Sequence, residues 1–165
     1  MLLPASSHGG PPVSTPLENA LGDIVRNIWS VVLGLEVRPA SGARAPDAGP
    51  TLTATVDLTG GWEGSIDLRC GWTAAEKAAG AMFRCPPGKL SPADVRDALG
   101  ELTNITAGNF KALFAPRCAL LVPRVREDGA NPDGASLCTL AFTGEDGPFQ
   151  VSVRGSTLPG GGEFP

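Results

Sequence analysis

The chain has 165 residues, of which 42% are hydrophobic, and its 13 basic and 17 acidic side chains give a formal net charge of −4. This length predicts one domain that buries roughly two-thirds of the surface exposed by the unfolded chain. The Lys and Arg residues are scattered singly rather than clustered, which argues against a nucleic-acid-binding role.

The N-terminal residues lack the basic and apolar regions of a signal peptide, and no apolar run approaches the ~20 residues of a membrane span. A cytoplasmic protein is therefore expected. The four cysteines show no C-x-x-C spacing, and the single histidine is His8, so a zinc site has almost no ligands. Free thiols are favoured over disulfides, and no metal of the protein's own is expected.

The first predicted element is a helix. Residues 1–14 are rich in Pro, Gly and Ser and are expected to form a disordered leader. Thr15-Pro16-Leu17-Glu18 then has the form of a capping box with proline at the first helical position. An apolar stripe at helical spacing extends the helix to about Leu33; it consists of Leu17, Leu21, Ile24, Val25, Ile28 and Val32.

A hairpin and two more helices follow. TLTATVDL alternates apolar and polar residues, and a second alternating run follows the Gly60-Gly61 turn, so the pair predicts a β-hairpin. Thr73-Ala74-Ala75-Glu76 has the form of a second capping box, for an alanine-rich helix to about Phe83. Ser91-Pro92-Ala93-Asp94 begins a third helix that extends to about Phe114.

Three further strands are predicted, in CALLVPRV, SLCTLAFT and FQVSV, followed by a disordered tail over residues 156–165. The element order is therefore helix, two strands, two helices and three strands. Runs of strands joined by short turns predict an α+β fold, in which an antiparallel sheet packs against helices. Residues 15–155 are expected to form a single domain.

The third helix has two contrasting faces. At about 100° per residue, Val95, Leu99, Leu102, Thr106 and Leu113 are expected to face the sheet, and Asn109 to project toward the same apolar side and bond a neighbouring backbone group. Glycine in a helix interior costs about 1 kcal/mol relative to alanine, so Gly108 indicates close approach to the backbone. From spacing alone, simple solvation of the polar face is favoured over a catalytic role. That face contains Asp97, Glu101, Asn104, Gly108 and Lys111.

The segment DVRDALGELTNITAGNFKALF resembles the active-site helix of the CheX-type chemotaxis phosphatases, which are relatives of CheC and FliY. That family has an E-x-x-N motif followed by small residues and a glycine, matched here by Glu101, Asn104 and Gly108. GGWEGSIDLRC and ALFAPRCALLVPRV resemble the flanking family segments, and the resemblance covers roughly residues 15–155. The chain carries one motif rather than two. It therefore resembles the single-site members, which tend to dimerise through their sheet, here by FQVSV or by the proline-bearing strand.

The resemblance implies a phosphatase that hydrolyses the aspartyl phosphate of a CheY-like response regulator in two-component signalling. Asn104 would orient the hydrolytic water, and Glu101 would pair with a lysine of the regulator. The partner supplies the Mg²⁺. From the geometry of the polar face, Gly108 would leave room for that partner, and Asp97 and Lys111 would contact it. The alternative is a non-catalytic adaptor or dimerisation module that binds a receiver domain or another signalling protein. A Ser–His or Cys–His hydrolase is disfavoured, because the expected ordered region contains no histidine.

Overall fold

A computed structural model describes residues 15–41, 49–86, 88–127, 135–145 and 147–162. The predicted leader, residues 1–14, lies outside this part of the chain. Within it are three α-helices, which are α1 (Pro16–Ile28), α2 (Trp72–Phe83) and α3 (Pro92–Phe114). One sheet contains the described strands: β1 (Val37–Pro39), β2 (Thr51–Thr59), β3 (Gly64–Gly71), β4 (Ala119–Leu120), β5 (Arg124–Glu127), β6 (Ser136–Gly144) and β7 (Gly147–Gly155).

The sheet is antiparallel and has the strand order β1-β6-β7-β3-β2-β4, with β5 also pairing with β2. Strands β4 and β5 lie end to end along β2 and together form one edge, and β1 forms the other. The predicted α+β class and element order are confirmed. The short strand β1 was not predicted, and the first of the three late strands is divided in two.

The two candidate edge strands have different outcomes. The proline-bearing segment is at an edge, because β4 and β5 pair only with β2 among the described strands. The proposal of FQVSV as an edge is wrong, because that segment belongs to β7, which pairs with β6 on one side and with β3 on the other. Both sides of β7 are thus occupied by hydrogen-bonded neighbours.

Helix α1 begins as predicted. Thr15 Oγ1 accepts a hydrogen bond from the Glu18 amide at 3.2 Å, and the Glu18 carboxylate accepts one from the Thr15 amide at 2.8 Å. The helix continues through a π turn over Trp29–Leu33. This wider turn shifts the buried stripe, so that Trp29 and Leu33 are buried whereas Val32 is exposed. The prediction of Val32 as a core residue is therefore wrong.

Helix α2 begins earlier than the second capping box implies. Its N-cap is Gly71, without a side-chain cap, and its first residue is Trp72. The β2–β3 pairing continues to Gly71, and the Trp72 amide donates to the Pro50 carbonyl at 3.1 Å. The hairpin register therefore fixes the start of the helix, and Thr73 lies inside it. The predicted Thr73–Glu76 capping box is wrong.

The core lies between the helices and one face of the sheet, and apolar residues that alternate along the strands contribute to it. Because this arrangement fixes α3 against β2 and β3, it determines which face of α3 points outward. The fully buried residues include Leu21, Leu52, Val56, Ile66, Leu102, Phe110 and Val151.

Polar residues occupy the opposite strand positions. Thr55 of β2 donates to Asp67 of β3 at 2.6 Å, and Asp67 forms an ion pair with Arg154 of β7. Asp67 is nevertheless almost fully buried. Burial raises the pKa of this carboxyl, although its bond to Thr55 and the charge of Arg154 act in the other direction.

The C-terminal boundary differs from the prediction. Residues 156–162, expected to belong to a disordered tail, include a 3₁₀ turn at Pro159–Gly162. The Trp62 indole donates to the Thr157 carbonyl at 2.8 Å, and Pro159 is buried. These contacts hold the segment on the domain, so that part of the tail prediction is wrong. Residues 163–165 lie outside the described chain.

Candidate functional site

Helix α3 carries the candidate site and begins with a well-formed cap. The Ser91 hydroxyl donates to the Asp94 carboxylate at 2.7 Å, and the Ser91 amide donates to it at 2.9 Å. The hydrogen bonds from Ser91 lower the pKa of the Asp94 carboxyl. They therefore favour the charged carboxylate, which lies at the positive end of the helix. The predicted start and end of this helix agree with the structure.

The inward face of α3 matches the prediction at Val95, Leu99, Leu102 and Thr106, which are all buried. Leu113 is an error, because its side chain is 56% exposed. Phe110, three residues earlier, is fully buried and packs between Trp62 and Phe114, with ring centroids 5.8 Å and 5.0 Å away. These rings close the core at this end and leave Leu113 outside.

Three polar side chains of this helix are used by the helix itself. The hydroxyls of Thr103 and Thr106 donate to the carbonyls of Leu99 and Leu102, each at 2.7 Å. Asn109 donates to the carbonyl four residues before it at 2.9 Å, so its bond to a neighbouring backbone group was predicted correctly. It is exposed, however, rather than directed toward the apolar side. These residues are structural, because each returns a hydrogen bond to its own helix.

Glu101 and Asn104 differ from those three residues. Glu101 is exposed and Asn104 is half-buried, and neither side chain has a hydrogen-bond or ion-pair partner among the described residues. Three residues along an α-helix place them about 60° apart around the axis and about 4.5 Å apart along it. An unpaired carboxylate and an unpaired carboxamide are thus presented side by side.

The three predicted partner-binding residues lie on the same face. Asp97 is exposed, whereas Gly108 and Lys111 are half-buried. At 100° per residue, all five candidate residues fall within an arc of about 80°, on the side away from Leu99 and Leu102. The structure therefore brings the candidate residues together on one stripe, which we call the outer stripe of α3 (Asp97, Glu101, Asn104, Gly108, Lys111).

The glycines of α3 have different surroundings. A Cβ atom built on Gly108 would have the Leu120 side chain, at 4.0 Å, as its closest neighbour from outside the local helix backbone. A Cβ atom built on Gly100 would lie 3.4 Å from Pro123 Cβ. Gly108 is therefore not needed to make room for the rest of the domain, and its small size leaves the outer stripe open beside Asn104.

Exposed apolar side chains at the β4–β5 edge of the sheet were not predicted from the sequence. Leu121 and Val122 lie between β4 and β5, and their side chains are 46% and 83% exposed. The available signal was an apolar triplet, Leu120-Leu121-Val122, directly before a proline that interrupts strand pairing.

The described residues include no cluster of three or more Cys, His, Asp or Glu side chains placed to bind a metal ion. None of the described helices is long and apolar enough to span a membrane. The outer stripe itself presents the carboxylates of Asp97 and Glu101, the carboxamide of Asn104 and the ammonium group of Lys111.

Comparison with known proteins gives a consistent family assignment. The family model described as chemotaxis phosphatase CheX matches residues 52–133, a segment that contains Glu101 and Asn104. No curated protein matches the chain. Among solved structures, the chemotaxis protein CheX of Desulfovibrio desulfuricans is similar, with a TM-score of 0.68 and 20% identity over 84% of this chain and 98% of that one.

Two further structures share the fold. CheX of Vibrio vulnificus has a TM-score of 0.68 and 18% identity, over 85% of this chain and 96% of that chain. A CheX–CheY–BeF₃–Mg²⁺ complex from Borrelia burgdorferi matches with a TM-score of 0.62 and 18% identity, over 82% of this chain and 95% of that one. With the family match and the motif on α3, we conclude that the chain is a member of the chemotaxis phosphatase CheX family.

Proposed function

We propose that the chain accelerates hydrolysis of the aspartyl phosphate on a CheY-like response-regulator receiver domain. The observation that supports this is the contrast within α3: Thr103, Thr106 and Asn109 bond their own helix, whereas Glu101 and Asn104 face outward unpaired. Support also comes from the complex of a CheX relative with CheY.

The reaction needs little from the catalyst beyond position. An aspartyl phosphate is an acyl phosphate, which water attacks in line with the leaving carboxylate oxygen. A carboxamide suits this task, because its carbonyl accepts a hydrogen bond from water while its NH₂ group can donate to a phosphoryl oxygen. We assign Asn104 this role, since its amide has no partner among the described residues and lies at the centre of the outer stripe. Positioning of this kind contributes about 10²–10⁴-fold.

Glu101 has a different role in this proposal. A carboxylate beside the phosphoryl group would be repelled, so it is poorly suited to deliver the water. Its exposed position instead suits an ion pair with a lysine of the receiver, which docks α3 and draws that lysine from the phosphoryl group. Asp97 and Lys111 extend the contact along the stripe, and Gly108 allows the partner to approach the helix. We propose that the receiver supplies the Mg²⁺ that balances the phosphoryl charge.

The test is phosphate release from a receiver domain phosphorylated with acetyl phosphate, measured with and without the chain. We expect Asn104→Ala to reduce the acceleration to near the unaided rate and Glu101→Ala to raise KM. Asn109→Ala is the matched control, because it removes an exposed amide from the same helix but outside the outer stripe. Equal loss in Asn104→Ala and Asn109→Ala would contradict the assigned role.

The second candidate is a binding module without turnover, and the same assay distinguishes it. Stable binding of the phosphorylated receiver, with an unchanged decay rate, would favour an adaptor. The presence of both Glu101 and Asn104 favours the phosphatase, since a binding module could lose either residue.

We also propose that the chain is cytoplasmic and forms a homodimer. With β7 in the sheet interior, the described edges are β1 and β4–β5; each carries a proline, Pro39 and Pro123, and the β4–β5 edge is the remaining candidate from the sequence for pairing with a second copy. Sedimentation of the purified chain measures its mass directly. A monomer at micromolar concentration would contradict this proposal and leave the assignment of Asn104 unaffected.

A further inference from the structure

The charges of the outer stripe are arranged by sign along α3. Asp97 lies at one end of the stripe and Lys111 at the other, with Asn104 seven residues from each. Seven residues advance a helix by about 10 Å and return to within about 20° of the same direction. The three side chains therefore follow nearly one line. This line is negative toward the start of the helix, where Glu101 adds a second carboxylate, and positive toward its end.

Neither charge at the ends of this line is used within the described part of the domain. Asp97 is exposed and Lys111 is half-buried, and neither has a hydrogen-bond or ion-pair partner among the residues that the structure describes. No helical neighbour three or four positions away carries the opposite charge: these neighbours are Ala93, Asp94, Gly100 and Glu101 for Asp97, and Ala107, Gly108, Phe114 and Ala115 for Lys111. Like charges at i and i+4, such as Asp97 and Glu101, destabilise a helix.

The helix dipole accounts for only one of the two charges. Its effect on charged side chains is confined to the first and last turns of a helix. Lys111 lies in the last turn of α3, where a cation is stabilising, but Asp97 lies beyond the first turn. The adjacent Arg96 is already bonded to Glu127 at 2.8 Å and lies over the ring of Trp72. Helix stability therefore does not explain the carboxylate at position 97.

A contact at Glu101 alone would fix a point on the receiver but not its direction. A receiver held only there would remain free to turn, whereas water positioned by Asn104 must attack in line with the leaving oxygen. Two further charges of opposite sign, about 20 Å apart, distinguish the two directions in which a receiver can lie along the helix. The reversed direction sets like charges against each other, which disfavours it.

We propose that Asp97 and Lys111 orient the receiver domain on α3 and select the receivers that carry matching charges. A matching receiver has a basic group on one side of its phosphorylated aspartate and an acidic group on the other, each about 10 Å away along the contact. This inference rests on the proposed function and adds a determinant of specificity to it. Asp97 and Lys111 are positioning residues, whereas Asn104 acts on the water.

The experiment reverses the polarity of the stripe without changing the net charge of the chain. The variant Asp97→Lys with Lys111→Asp is compared with a control, Glu36→Arg with Arg38→Glu, which exchanges two exposed charges at the β1 edge of the sheet. Asp97→Asn with Lys111→Gln is a milder, neutral variant. The substrate is a receiver domain that the wild-type chain dephosphorylates, phosphorylated with acetyl phosphate. Phosphate release is measured at about 10 mM and about 1 M salt, where the Debye lengths are about 30 Å and 3 Å.

The quantity compared is kcat/KM, because it measures transition-state stabilisation relative to the free chain and the free receiver. We expect the reversed variant to lower kcat/KM about tenfold at low salt, and the neutral variant to lower it less. At high salt both variants should come within about twofold of the wild-type value, because exposed charges are then screened. The control at the β1 edge should stay within about twofold of wild type at both salt concentrations.

Each other outcome overturns the inference in a distinguishable way. A reversed variant within about twofold of wild type at low salt would show that Asp97 and Lys111 do not orient the receiver, with the phosphatase proposal unaffected. An equal loss in the control would assign the effect to the charge of the whole domain. A loss that persists at high salt, with a lower free energy of unfolding, would assign it to damage to the helix. A wild-type chain that accelerates the decay of no receiver would remove the proposed function and this inference together.

Discussion

Gly100 of α3 lies directly against Pro123 of the sheet edge, with 3.4 Å between the position of a Cβ atom on Gly100 and Pro123 Cβ. The Val125 side chain is 3.6 Å from the same position. Gly108, about two turns later, has no comparable neighbour. Two glycines of one helix thus serve different purposes: Gly100 lets the sheet edge approach the helix, and Gly108 leaves the surface open.

Gly108→Ala should separate stability from activity. Alanine is favoured over glycine in a helix interior by about 1 kcal/mol, and nothing within the domain opposes the added methyl group. We expect the free energy of unfolding to rise by about 0.5–1 kcal/mol in urea titrations, while KM for a phosphorylated receiver increases. A stabilised variant with unchanged KM would show that Gly108 has no role in docking.

Gly100→Ala is the matched comparison for that variant. The same gain in helix propensity applies there, and the added methyl group would lie at van der Waals distance from Pro123 and Val125, 3.4 and 3.6 Å away, so we expect Gly100→Ala to be at least as stable as the wild-type chain in urea titrations. Gly100→Val should be destabilised by about 1–3 kcal/mol, because the larger side chain overpacks the contact.

The cysteines should differ in their reactivity toward a thiol reagent. Burial raises the pKa of Cys70 to about 12, and burial together with the charge of Glu18 raises that of Cys138 to about 11. Cys118 is buried and bonded to the backbone of Trp62, whereas Cys85 is half-buried. Because the thiolate is the reactive form, we expect one fast-reacting thiol per native chain at pH 8.

Cys85→Ser identifies that thiol. The variant should lose the fast phase of modification, and the three remaining thiols should react only when denaturant is added. A fast phase that persists in Cys85→Ser would mean that one of the buried cysteines is reached by solvent.

Asp67 should make stability depend on pH. Burial, chiefly, raises the pKa of Asp67 in the folded state above its ordinary value, so between the unfolded-state pKa and the folded-state pKa the folded state binds more protons than the unfolded state. This contribution therefore lowers the free energy of unfolding as pH rises through that window. Asp67→Asn should remove that decline, measured by urea unfolding from pH 3.5 upward. A variant with the wild-type slope would show that Asp67 is not responsible.

Local sequence signals were reliable where no other element competed with them. The boxes at Thr15 and Ser91 both cap helices, as their residues predict. The box at Thr73 fails, because the β2–β3 pairing continues to Gly71 and the helix begins directly after it. A hydrogen bond between distant segments, from Trp72 to Pro50, decided that boundary and could not be read from a local motif.

In the candidate site, too, the predictions that depend on local sequence alone were correct, and those that depend on distant segments were not. Helical periodicity placed Glu101, Asn104 and Gly108 on one face, because that placement depends on the helix alone. The error at Leu113 arose because Phe110, Trp62 and Phe114 close the core, which depends on segments far apart in the chain. The exposure of Leu121 and Val122 was missed for the same reason, since it depends on where the pairing of β4 and β5 with β2 is interrupted.

The central claim is that the carboxamide of Asn104 directs water at the phosphoryl group. It is tested most directly by single-turnover decay of a phosphorylated receiver at saturating concentrations of the chain. We predict that Asn104→Ala lowers the limiting rate by about 10²-fold or more, toward the unaided rate. The concentration of the chain that gives half of the limiting rate should stay within about threefold of the wild-type value. A limiting rate for Asn104→Ala equal to that of the wild-type chain would contradict the account.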